Sequence, residues 1–95
     1  MDAADVILRP VVSEKSFELA RDYRYTFEVS PRANKVQIRH AVEELFGVHV
    51  ISVNTMWVRG KSRRLGRMSP GRTPSWKKAV VTTREGEHIA AFDTD

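Results

Sequence analysis

Ninety-five residues, 41% of them hydrophobic and none of them cysteine, fit one small domain with one modest core. Disulfides, thiolate metal ligands and a cysteine nucleophile are thereby excluded. The net charge of +4 hides an uneven split: residues 59–78 hold eight of the sixteen Lys and Arg and no acid, so they carry +8 while the remaining residues carry −4.

The amino terminus, Met1-Asp2-Ala3-Ala4-Asp5, is acidic and lacks the basic flank and apolar run of a signal peptide. No apolar stretch approaches the ~20 residues that span a bilayer. The expectation is a soluble, intracellular chain.

Val6 to Val12 is an apolar approach interrupted by Pro10 and reads as an extended lead-in. Ser13 supplies an N-cap hydroxyl and Glu14 a first-turn acid, which predicts a helix over 13–21 with Phe17 and Ala20 on one face. In Tyr23-Arg24-Tyr25-Thr26-Phe27-Glu28-Val29 the odd positions are apolar and the even ones polar, the pattern of a half-buried strand. Ser30 to Ala33 is a turn.

Asn34 and Gln37 form a capping-box variant ahead of a stripe of Ile38, Ala41, Val42 and Leu45, and Gly47 sits where a left-handed C-cap belongs. This predicts a helix over 35–46. Residues 48–58 read as a long strand, in which the adjacent Val50 and Ile51 require a bulge or burial on both faces. After the basic stretch, Ala79 to Thr83 is a strand, Arg84 to Glu87 a turn, His88 to Phe92 a short edge strand, and 93–95 a fraying tail.

The order of elements predicts one α+β domain over 1–95: a small mixed or antiparallel sheet of three to four strands, helices on one face, and a long basic hairpin loop over 59–78. Ordinary hairpin loops take about 2–5 residues, and much longer ones are functional or disordered.

An average charge run is a solvated loop without a specific partner. Here no acid is available for internal pairing, and arginine outnumbers lysine five to three, which suits bidentate phosphate contacts. Trp76 beside Lys77 and Lys78 adds a stacking surface next to charge. Nucleic acid is the expected partner, and a basic arm on a compact body suits irregular folded RNA. No helix-turn-helix, zinc finger or basic zipper is present, and Tyr23, Tyr25 and Phe27 fit a buried strand face better than an RNA-stacking platform.

Catalysis finds little support. His40, His49 and His88 have no neighbours at metal-ligand spacing, so no metal or cofactor is expected. Gly60-Lys61-Ser62 ends like a phosphate-binding loop without its first glycine.

Five pieces in order carry a resemblance: Arg9-Pro10-Val11-Val12-Ser13-Glu14-Lys15-Ser16; Asn34-Lys35 opening a helix that ends Ala41-Val42-Glu43-Glu44-Leu45-Phe46; Val53-Asn54-Thr55; Gly60-Lys61-x-Arg63-Arg64-x-Gly66; and Trp76-Lys77-Lys78-Ala79. Across about 75 residues the chain resembles the bacterial type of ribosomal protein twenty-three of the large subunit. The resemblance implies an antiparallel sheet with helices on one side, no enzymatic activity, and binding to large-subunit (23S) rRNA at the exit of the nascent-peptide tunnel, beside neighbouring large-subunit proteins. The implied RNA contacts are Arg9, Lys15, Lys35, Arg59, Lys61, Arg63, Arg64, Arg67, Arg72, Trp76, Lys77 and Lys78. The implied protein-docking residues are Val12, Ser13, Glu14 and Phe46, for trigger factor, with signal recognition particle and the protein translocase using the same neighbourhood. A cytoplasmic, ribosome-bound location follows, with an organellar ribosome as the alternative and no membrane insertion. Many bacterial members of the family carry an acid after the helix-ending Phe where this chain has Gly47, so Glu14 carries over more firmly than Phe46, with Glu43 and Glu44 as candidates for compensation. Phe46 itself fits either a core position or an exposed anchor. A non-ribosomal RNA- or DNA-binding module is the alternative reading.

Overall fold

The computed structural model describes residues 2–59 and 75–92, and the backbone of 62–63 and 71–72. Helix α1 (Ala3–Val6) leads into strand β1 (Ile7–Pro10), followed by α2 (Glu14–Arg21), β2 (Arg24–Val29), α3 (Lys35–Phe46) and β3 (Val50–Val58). The short strands β4 (Ser62–Arg63) and β5 (Gly71–Arg72) pair with each other, and β6 (Trp76–Thr83) returns to the main sheet. A 3-10 turn, Ala90–Phe92, follows. The main sheet is antiparallel with order β1-β2-β6-β3, which makes the fold α+β.

Local chemistry explains the helix ends. Ser13 accepts from the Ser16 backbone at 3.2 Å, while the Ser16 hydroxyl accepts from Ser13 N at 2.7 Å. Asn34 and Gln37 make the same reciprocal pair at 2.8 and 3.0 Å, so both helices start on capping boxes. Gly47 ends α3 with φ +65°, and its N–H donates to the Glu43 carbonyl at 3.0 Å.

The core lies between α3 and one face of the sheet. Tyr25, Phe27 and Val29 of β2, Ala79 and Val81 of β6, and Ile38, Ala41 and Val42 of α3 are all buried. Of the two readings of the adjacent Val50 and Ile51, a bulge or burial on both faces, the structure has the bulge, between Val50 and Ser52, with Ile51 exposed. Glu43 Oε2 accepts from Val50 N there, at 3.1 Å.

Several expectations are corrected. Residues 7–10, read as a lead-in, form a strand on β2. Tyr23 precedes the strand at φ +60°, because α2 closes through Tyr23 N to the Ala20 carbonyl and the chain must then reverse. Thr26 is buried rather than solvated, since it lies between Val80 of β6 and the Pro10-Val11 segment, whose Val11 N–H bonds its carbonyl. Leu45 is exposed, and Phe46 takes its place on the Ile38–Val42 side, one further helical step of four along. Residues 88–92 form no strand. Ile89 and Phe92 are spaced for a 3-10 turn and plug the core, with the Phe92 ring 5.3 Å from Tyr25 and 5.5 Å from Phe27.

Candidate nucleic-acid interface

The basic segment leaves the sheet from β3 and re-enters it at β6, and the two strands stay paired out to Val58 and Trp76. Strand β6 therefore begins three residues earlier than the Ala79 expected from sequence, and Trp76, Lys77 and Lys78 belong to the sheet. Beyond that ladder, Ser62 pairs with Arg72 and Arg63 with Gly71. Lys61, Arg64, Arg67 and the side chains of Arg63 and Arg72 lie outside the described residues.

Register decides which face each basic residue occupies, because directly paired residues share a face. Arg9, Glu28, Lys78 and Met56 form one row across all four strands, on the face opposite the α3 core. Arg9 Nε lies 2.6 Å from Glu28 Oε1, and its guanidinium stands 5.9 Å over the Trp76 ring. The guanidinium is thus held between a carboxylate and an aromatic face. Two cations flank the single acid of that row, which leaves it net positive. Trp76 is half-buried, and Arg59 is exposed where the strand ends.

The next row, Val29, Lys77 and Trp57, lies on the helix-covered face. Lys77 Nζ donates to the Ala33 carbonyl at 2.5 Å, so this cation is engaged within the fold. Lys35 is exposed at the first turn of α3 on that side, and Lys15 is exposed on α2. The structure thus gathers Arg9, Trp76 and Lys78 on one face at the root of the basic segment, and leaves Lys15, Lys35 and Lys77 elsewhere.

Arg24 and Asn54, which the sequence left unassigned, share the Lys78 face. They line a cavity of about 320 Å³ with Leu19, Ser52, Met56, Val80 and Thr82. Strand alternation alone placed Arg24 there. Asn54 needed the pairing register, because the bulge resets the faces of β3.

Of the expected docking residues, Val12, Ser13 and Glu14 are contiguous and exposed at the start of α2. Phe46 is half-buried, its ring 5.5 Å from Phe27, so it is largely a core residue. The Glu43 carboxylate is occupied by Val50 N and lies 3.9 Å from Arg39, whereas Glu44 is exposed. Among the described residues no group of three or more His, Asp or Glu can hold a metal.

The family model for ribosomal protein L23 matches residues 5–91. The large ribosomal subunit protein uL23 of Heliobacterium modesticaldum is 51% identical over 89 residues, covering 94% of this chain and 93% of that protein. Its counterpart from Latilactobacillus sakei subsp. sakei is 52% identical over 94 residues, covering 98% and 99%. The Lactobacillus gasseri protein is 55% identical over 94 residues, covering 98% and 95%. Matched over nearly its whole length, the chain belongs to the ribosomal protein L23 family.

Proposed function

We propose that the chain binds large-subunit rRNA near the exit of the polypeptide tunnel, as a structural and non-enzymatic constituent of the large ribosomal subunit. The relatives are named as large-subunit proteins, which supports that assignment. The single observation that carries the RNA reading is the charge split: +8 over residues 59–78, with no acid among them. Such a segment gains little from its own domain and much from a polyanion. At its root, Arg9 stands beside Lys78, one of those eight cations, and Trp76 offers a stacking face. Arg59, Lys61, Arg63, Arg64, Arg67 and Arg72 take phosphates along the segment.

The second part of the proposal is a docking surface at Val12, Ser13 and Glu14 for trigger factor, with signal recognition particle and the translocase using the same neighbourhood. Its support is the exposure of three adjacent residues next to a capped, fixed helix start. Phe46 contributes less, because its ring faces Phe27. A bacterial cytoplasmic ribosome is the corresponding location.

Hydroxyl-radical footprinting of the full chain on large-subunit rRNA, with and without residues 61–75, tests the RNA reading. Protection around the tunnel exit that shrinks on deletion supports it. Absence of the chain from large subunits sedimented at physiological salt contradicts it in favour of a non-ribosomal module.

A further inference from the structure

Strand β3 is an edge strand, and among the described residues nothing pairs with its outer side. Its nine residues, Val50-Ile51-Ser52-Val53-Asn54-Thr55-Met56-Trp57-Val58, contain no charge and no proline. Natural sheets usually protect such an edge with lysine, proline, inward charges or a bulge. Here the one device is the bulge at Val50 and Ser52, where Glu43 already takes the Val50 N–H. From Ile51 to Val58 the alternate backbone groups that face away from β6 have no strand beside them among the described residues.

Beside this edge runs a groove of about 190 Å³, lined by Lys35, Val36 and Arg39 of α3 and by Ile51, Ser52 and Val53 of β3. Val36 is 63% exposed and Ile51 64% exposed, an apolar pair lining this groove. The groove's charged side chains are both cations. Among the described residues Arg39 has one acidic partner, Glu43, at 3.9 Å.

We infer that this edge receives an extended segment of a partner protein whose side chains alternate apolar and acidic. The segment pairs with β3 as a fifth strand. Its apolar side chains cover Val36 and Ile51, and its carboxylates meet Lys35 and Arg39. The chemistry disfavours the other occupants. A ribose–phosphate chain cannot continue the ladder and gains nothing from Val36 and Ile51. A helix satisfies its own backbone groups and leaves the edge open. A second copy would bring two sets of Lys35 and Arg39 to one seam.

Amide hydrogen exchange on the full-length chain tests this, with a synthetic peptide of alternating Val and Glu as the probe. Alternate amides of Ile51–Val58 are expected to slow at least about tenfold with this peptide, and far less with its Val–Lys counterpart. In the double variant Lys35→Glu, Arg39→Glu that preference should reverse. No slowing, equal slowing by both peptides, slowing only by an rRNA fragment, or slowing that rises with protein concentration alone would each overturn the proposal. The variant Arg63→Ala, Arg64→Ala, Arg67→Ala should keep the peptide response, so the edge and the RNA segment fail separately.

Discussion

The Lys77 ammonium donates to the Ala33 carbonyl at 2.5 Å, tying the root of the basic segment to the turn before α3. A cation that the sequence offers to RNA is therefore part of the fold. Its neighbours across the ladder are Val29 and Trp57, on the face that α3 covers. Lys77→Met keeps most of the apolar stem and removes the donor. The expected cost is about 1–2 kcal/mol, read as a lower denaturation midpoint, with little change in the salt dependence of RNA binding.

The two capping boxes and the left-handed Gly47 set where α2 and α3 begin and end. Asn34→Ala removes the acceptor for Gln37 N and should destabilise the chain by about 1 kcal/mol. Gly47→Ala meets nothing within 4 Å, so its cost comes from φ +65° alone, at about 1 kcal/mol. Asn at that position should recover part of the loss. Thermal unfolding of the three variants checks this, at about 4–8 °C per kcal/mol for a domain of this size.

Glu87 joins the β6 turn to the start of β3. Its Oε1 lies 2.8 Å from His49 Nδ1, and its Oε2 accepts from His49 N at 2.5 Å. The His49 ring contact and backbone N–H hold the Glu87 carboxyl below its usual pKa. A depressed carboxylate contributes stability that is fully present above the unfolded pKa of about 4.3 and is lost as pH falls through the lower folded value. Stability measured from pH 7 to pH 3 should fall less steeply below about pH 4.5 in Glu87→Gln than in the parent chain.

Glu14 is exposed on a helix start that Ser13 and Ser16 hold in place. Glu14→Lys should weaken recruitment of trigger factor to large subunits and leave assembly of those subunits intact. A small loss of stability, about 0.3–1 kcal/mol, is expected from placing a cation at a helix N-terminus. Failed assembly would assign Glu14 to the fold instead.

Much of this architecture could be read before any coordinates. The Asn34 box, the Ile38–Val42 stripe and Gly47 predicted α3 to its end residues, because cap, period and stop signal agree there. The alternation of β2 identified its buried face correctly. What sequence missed depends on tertiary neighbours. Thr26 is buried by flanking strands, and Tyr23 turns because α2 must close. Ile89 and Phe92 fill the core from a 3-10 turn that strand propensity disguises. At the candidate interface, composition identified the basic segment, but only the register separates Arg9, Trp76 and Lys78 from Lys77. A period of two cannot show where a pairing begins, so the early start of β6 at Trp76 was hidden too.

The central claim is that the cations of residues 59–78 other than Lys77, with Arg9 at their root, neutralise phosphates together. The direct measurement is the affinity of the full chain for a 23S rRNA fragment between about 50 and 200 mM salt. With six to eight phosphates engaged, log affinity should fall against log salt with a slope of roughly −4 to −7. In Arg63→Ala, Arg64→Ala, Arg67→Ala the slope should flatten by about 2–3 and binding should weaken. A triple variant with the parent slope would contradict the account.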